Sequence, residues 1–302
     1  MNSPASRRDG GRTGEGPCLL AILAHPDDES FGPGGTLAHY SRRGVDVHLL
    51  TMTDGAAGAV DPILLEGIPG ADPGVRLARL RQRELEAACE ILGISLHLAG
   101  YRDSGMAGSP ANAHPDCLQR AALDDVAERI AERILALRPQ VVLTHDPTGG
   151  YFHPDHIRCN EATLRALRLL SAPAERAPTH VPERGFYTAI PRATVKRMTR
   201  MMRLMGRDPS RFGTNRDIDL TRLGIDEADL QVRLDVRHVL AVKEAASACH
   251  VSQGGGGALR RLPDPARRWL QRHERFAQAW PTPGAGLRRK GFFEGLGFEG
   301  LR

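Results

Sequence analysis

The sequence predicts an α/β fold with a doubly wound, mostly parallel sheet. Three observations predict it. Residues 18–24 form a short, unbroken apolar run, the mark of a strand covered on both faces. A second apolar run at 45–53 follows a helical stretch at 37–43 that ends near Gly44. Strand–helix–strand within about 35 residues is a βαβ unit, which makes its strands parallel. A third run at 141–144 follows an amphipathic stretch at 124–137 and repeats the alternation. The pattern is Rossmann-like, with a smaller C-terminal portion walling the site.

The other elements follow in order. Residues 55–74 hold five Gly and three Pro and read as a loop. In 75–92, Leu77, Leu80, Leu85, Ala88, Ile91 and Leu92 recur at helical spacing between Arg and Glu, and Gly93 is the C-cap. A short strand is predicted at 94–98, a loop at 103–116 and a helix at 156–170. Beyond Ser171 the pattern weakens. Residues 171–184 are Pro-rich, 185–190 suit a strand, and 193–205 a basic helix. Met198, Met201, Met202 and Met205 on that helix read as core packing. Residues 207–232 look irregular, 236–250 helical, and Gly254–257 a flexible stop. The apolar end at 292–298 docks on the body. The chain thus divides into a polar, disordered leader (1–17), a catalytic core (18–170) and a portion that shapes the substrate site and completes the fold (171–302).

Composition narrows the function. A chain of 302 residues, 41% hydrophobic and 25% charged, buries a full core without metal or disulfide staples, so a bound metal would be catalytic. The net charge of +5 comes from scattered Arg, and aromatics are 5% without alternating with basic residues. That excludes nucleic acid as a partner. No apolar run is long enough to span a bilayer, and the leader lacks a signal peptide's apolar centre, so no membrane partner and a cytoplasmic location are expected. The five Cys form no CxxC and read as reduced, buried thiols. Oligomeric state is left open.

Two clusters carry chemistry. His25-Pro26-Asp27-Asp28 follows the first buried strand directly, and His153-Pro154-Asp155-His156 follows the 141–144 strand across a Gly-containing loop. Ligands bind open parallel sheets outside the carboxyl ends of the strands, so clusters more than 120 residues apart can meet there. His25, Asp28 and His156 make a His₂Asp set for one divalent metal, zinc by donor type and Fe(II) as the alternative. Asp27, beside the ligands, suits a general base. His153 suits an acid or an oxyanion donor, with Asp155 holding its ring. Glu29 caps the following helix or supports the ligands.

Ala24-His-Pro-Asp-Asp-Glu29 with His153-Pro-Asp-His156 resembles the LmbE/PIG-L family of metal-dependent N-acetylglucosaminyl deacetylases. Tyr101-Arg-Asp-Ser-Gly-Met-Ala-Gly108, Gly149-Gly-Tyr-Phe-His153 and Lys243…His250-Val-Ser-Gln253 are similar to the branch of mycothiol-pathway deacetylases and mycothiol S-conjugate amidases. The resemblance implies metal ligands at His25, Asp28 and His156, the base at Asp27, an oxyanion-side acid at His153 and a carbonyl-contacting tyrosine at Tyr151. It implies sugar contacts at Arg81, with Arg83 as rival, and at Asp103. The amidases carry a lysine near the first motif, and Phe31-Gly32-Pro33 supplies none, which tilts the reading towards deacetylation.

The expected activity is therefore hydrolysis of the N-acetyl group of an N-acetylglucosamine conjugate, a small-molecule amino-sugar partner. One alternative is an amidase cutting a larger acyl group from a glucosamine thiol conjugate. A second is a nucleotide-binding α/β module without hydrolysis. That module wants GxGxxG after the first strand, where this chain has His25-Pro-Asp-Asp.

Overall fold

The computed structural model describes residues 16–172, 180–212, 218–255 and 263–301. Most of the predicted leader lies outside them, as do parts of the 171–184 loop, the 207–232 stretch and the Gly254–257 stop.

β1 (Cys18–Leu23) is buried along its whole length. The chain leaves it through α1 (Asp28–Phe31) and α2 (Gly34–Ser41) and returns as β2 (Asp46–Thr53), parallel to β1. α3 (Pro73–Leu92) starts where the Asp72 carboxylate accepts the Val75 N–H at 3.0 Å, and stops at Gly93, whose φ of 73° suits the left-handed C-cap. β3 (Ser95–Tyr101) lies parallel to β2. α4 (Leu123–Leu137) leads to β4 (Val141–Thr144), parallel to β1 on its other side. The kinked turn α5 (Gly149–Phe152) runs into α6 (Pro154–Ser171), and β5 (Arg184–Thr188) lies parallel to β4. α7 (Arg192–Leu204), β6 (Val232–Asp235), α8 (Leu240–Cys249), α9 (Asp264–Gln271) and β7 (His273–Trp280) complete the chain.

The strands hydrogen-bond in the order β3-β2-β1-β4-β5-β7-β6, with β7 antiparallel to both neighbours. Successive strands move one way from β1 and the other way from β4. The crevice at the carboxyl ends of β1 and β4 is thus the switch point where such sheets bind ligands. Alternate β1 residues feed two cores. Leu19, Ala21 and Leu23 pack with residues of α2, α3 and α8, and Leu20 and Ile22 with α4 and α6.

Several boundaries differ from the sequence reading. α2 begins at Gly34 rather than 37. The Glu274 carboxylate of β7 accepts from Gly35 N–H (3.0 Å), Thr36 N–H (2.7 Å) and the Thr36 hydroxyl (2.6 Å), a cap 238 residues distant that no local signal reveals. α6 begins at Pro154, which places His156 in its first turn. The predicted helix at 236–250 opens with a 3₁₀ turn, Arg237–Val239. Antiparallel strands and helices are expected in the C-terminal portion, but the positions of β6, β7 and α9 are not read from the sequence. Within the C-terminal portion, β5, β7 and β6 extend the same sheet. Phe292 and Phe293 are fully buried, as the docking of 292–298 requires. The methionines do not all pack inward: Met202 is buried, but Met198, Met201 and Met205 are exposed, because α7 buries only a narrow face. The five cysteines are free, and four are buried. Among the described residues no helix is long and apolar enough to cross a membrane.

Candidate metal centre

The loop after β1 and the first turn of α6 bring the two motifs together at the switch point. His25 Nδ1 lies 3.0 Å from His156 Nε2. The Asp28 carboxylate reaches both, 3.5 Å from His25 Nδ1 and 3.4 Å from His156 Nε2. His25 and His156 are buried, and Asp28 is nearly so.

The tautomers follow from the partners. His25 Nε2 faces Asp155 at 3.3 Å and Asp103 at 3.4 Å, so its proton belongs on Nε2 and its Nδ1 lone pair faces His156 and Asp28. A carboxylate behind the imidazole fixes ring and tautomer as in metal-ligating histidines. Burial works against a charged His25, but Asp103, Asp155 and Asp28 outweigh it and raise the imidazole well above its ordinary value. Burial drives His156 well below, which leaves it neutral with a lone pair to donate. Three acidic residues thus favour positive charge at the two imidazoles: a proton on His25 supplies it, and a cation bound at the His25 Nδ1 would supply it instead. The donor set fits a divalent cation of the zinc or iron type.

Asp27 sits at the edge with φ 143° and ψ −24°, a region L residues rarely adopt. Arg81 grips it: Nη2 lies 3.0 Å from Asp27 Oδ2 and donates to Pro26 O at 2.7 Å, while Nη1 donates to Gly55 O at 3.0 Å. Glycine at 58 permits that seat, since a Cβ there would fall 2.8 Å from Arg81 Nη1. The Arg81 Nε is buried without a partner. Arg83 is exposed on the other side of α3 and does not reach the centre. Burial raises the Asp27 carboxyl to about 7; Arg81 opposes this, and Asp28 adds to it.

His153 lies beside His25, ring centroids 4.4 Å apart. Its Nδ1 accepts the Asp155 N–H at 3.2 Å, capping α6. Burial and the neighbouring His25 hold it at about 3. Asp155 differs from the expectation in one respect. It orients His153 through its main chain, while its carboxylate goes to His25, to Ser104 N–H at 2.8 Å and to the Ser104 hydroxyl. Tyr151 packs edge-on to His156, and burial keeps its hydroxyl protonated well above the usual range. Asp103 accepts from Gly105 N–H (2.8 Å) and Ala57 N–H (3.2 Å). His25, Asp27, Arg81, Asp103, Tyr151 and His153 line one cavity of about 530 Å³, with Met106, Ile218 and Gln253 on its further walls.

Three features escaped the sequence reading. His145, directly after β4, stacks on His156 with centroids 3.9 Å apart and accepts the Ala24 N–H at 3.0 Å. Its place after a central strand, like that of His25, was the signal. Ser104 is the second. The third is what the 243–253 motif does. Lys243 pairs with Glu274 at 2.5 Å, His250 with Glu29 at 2.7 Å, and Ser252 donates to Glu84 at 2.6 Å and 2.8 Å, so α8 and the following turn brace the centre from behind.

Fold and side chains together define an α/β protein with a buried cluster of His and Asp, able to hold a metal ion, at the sheet's switch point. The chain belongs to the PIG-L family, whose description, GlcNAc-PI de-N-acetylase, matches residues 20–167. It is 39% identical over 243 residues to the 1D-myo-inositol 2-acetamido-2-deoxy-alpha-D-glucopyranoside deacetylase of Thermobispora bispora, covering 78% of each chain. The protein of that name from Actinosynnema mirum is 35% identical over 93% of this chain and 98% of its own. Among solved structures, the N,N'-diacetylchitobiose deacetylase of Pyrococcus horikoshii shares the fold at TM-score 0.57 and 20% identity, covering 87% of this chain and 84% of that one. The hydratase GalB of Pseudomonas putida does so at TM-score 0.54 and 20% identity over 90% and 99%. A hydratase and a deacetylase on one fold show that the fold alone does not choose the reaction.

Proposed function

We propose that the protein is a metal-dependent N-deacetylase that releases acetate and a free amine from an N-acetylglucosamine conjugate. The observation that carries this is the convergence of His25 Nδ1, His156 Nε2 and the Asp28 carboxylate within 3.5 Å beside a cavity holding Asp27, His153 and Tyr151. The three would hold one divalent cation, zinc by donor preference, with Fe(II) as the alternative. When bound, it supplies Lewis acidity that acidifies water and polarises the acetamide carbonyl.

The chain's own groups do the rest. Arg81 holds Asp27 Oδ2, which leaves Oδ1 to take the proton of the attacking water. His153, neutral with its proton on Nε2, and the Tyr151 hydroxyl donate to the carbonyl oxygen as it gains charge. Asp27 then returns its proton to the departing nitrogen. Asp155 and Asp103 keep His25 in the tautomer that offers Nδ1 to the cation. Arg81 and Asp103 line the cavity and would meet the sugar there. Ile218 and Gln253, from the 171–302 portion, shape the wall for the aglycone. The names of the 35–39% identical relatives make the inositol glycoside of N-acetylglucosamine the first substrate to try.

The test is acetate release from that glycoside and from other N-acetylglucosamine conjugates, after chelation and after adding back Zn²⁺ or Fe²⁺. A parallel arm carries a bulkier acyl group. Metal-restored acetate release supports the reading. Release of only the bulky acid makes the protein an amidase, and no release in either arm overturns the hydrolase reading.

A further inference from the structure

We propose that the buried Glu29–His250 pair positions Asp27 by holding its main chain, and so sets the aim of the base without touching substrate. The inference rests on the reading of Asp27 as that base. Asp27 has φ 143°, a conformation that persists only where its surroundings enforce it. Its carboxylate is held by Arg81, but a side-chain contact does not fix the peptide behind it. Glu29 does: its Oε2 accepts the Asp27 N–H at 3.0 Å.

Glu29 must itself be held. It is wholly buried, and a buried carboxylate lacking donors would be driven to reorient or take up a proton. The Ser30 hydroxyl donates to Oε1, and His250 Nε2 donates to the same oxygen at 2.7 Å from 221 residues away. His250 is also wholly buried and lies under the Phe31 ring, centroids 5.8 Å apart. Its Nδ1 has no hydrogen-bond partner, so the ring's one necessary contact is the proton on Nε2 pointing at Glu29. Ser247, one turn earlier on α8, donates to Ser30 O at 3.3 Å and fixes α8 against the loop. The chain of contacts runs from α8 through His250 and Glu29 to the amide of Asp27.

The test compares two amides at position 250. A glutamine nitrogen reaches the place of Nε2, whereas an asparagine nitrogen stops near Nδ1. His250→Gln should keep kcat within about threefold. His250→Asn should lower kcat about 10- to 100-fold, the scale expected for a base displaced by up to 1 Å. KM should stay within about twofold, and metal content at one per chain. Equal kcat for the two variants, or a loss confined to KM or to metal content, would overturn the proposal. Amide hydrogen exchange of the segment carrying the Asp27 N–H reads the same contact without turnover. It should quicken at least tenfold in His250→Asn and not in His250→Gln, and equal protection in both overturns the inference even if no acetate-releasing substrate is found. Should His250→Asn not fold, Glu29→Gln, which leaves one of the three donors facing an amide N–H, carries the same expectation in both readouts.

Discussion

The Nδ1 of His153 accepts the backbone N–H of Asp155 at 3.2 Å, and this one bond decides what the imidazole can do. With Nδ1 committed as an acceptor, the neutral ring carries its proton on Nε2. Burial and His25 hold the group at about 3, so it stays neutral at any pH where the protein works. His153 is therefore a fixed donor rather than an acid that changes charge. Removing such a donor to a developing oxyanion costs roughly 100- to 1,000-fold in kcat. His153→Ala should show that loss in steady-state turnover with metal content unchanged. His153→Gln, which keeps an amide donor, should recover part of it. A new ionisation in the wild-type pH profile that vanished in His153→Gln would contradict the assignment.

Asp27 supplies the ionisation that does appear. Burial raises its carboxyl to about 7, with Arg81 pulling the other way. A base must be ionised to act, so kcat should fall as pH drops below the Asp27 value, giving an acid limb with midpoint near or below 7. A cation held by Asp28 favours the ionised form and moves the limb lower. Arg81→Met removes the positive charge and should shift the limb to higher pH while lowering the plateau. A limb that stayed in place would show that Asp27 does not report it. Asp27→Ala should retain metal and lose nearly all turnover.

His156 and His25 come from motifs 131 residues apart in sequence, yet their nitrogens lie 3.0 Å from each other. If they share a cation, losing either imidazole lowers affinity at least 100-fold. Metal analysis after dialysis should find His156→Ala and His25→Ala largely empty. His145→Ala should be nearly full, because the His145 Nε2 is already taken by the Ala24 N–H. Full metal content in His156→Ala would break the ligand set.

The centre was largely legible in the sequence because its parts sit at fixed places in a βαβ frame. His25 follows β1 and His156 opens α6, so strand ends located by apolar runs also locate the candidate ligands. His145 obeys the same rule one residue past β4, without a motif to flag it. The support was not legible. Glu274 caps α2, and His250 reaches Glu29, across separations of more than 200 residues that no periodicity encodes. β6 and β7 were hidden for a related reason. Val232–Asp235 is short with Arg233 exposed, and β7 is antiparallel with charged residues along it, so neither shows the solid apolar run of a central strand.

Lys243 and Glu274 test whether that distant support matters for stability. Their charges lie 2.5 Å apart with both side chains about 9% exposed. Lys243 also donates to Gly32 O at 2.6 Å, at the turn between α1 and α2. Removing one partner of a buried pair leaves the other uncompensated and costs about 3–5 kcal/mol. Here the backbone N–H groups of Gly35 and Thr36 and the Thr36 hydroxyl still solvate Glu274, so the lower end applies. Lys243→Met should lower the unfolding free energy by about 3 kcal/mol in a denaturant titration with unchanged slope. Glu274→Gln keeps an acceptor for the helix end but leaves Lys243 without its counter-charge, and should cost a similar amount. The double variant should cost less than the sum of the two, because neither charge then remains buried alone. Additive losses would show that Lys243 and Glu274 act independently.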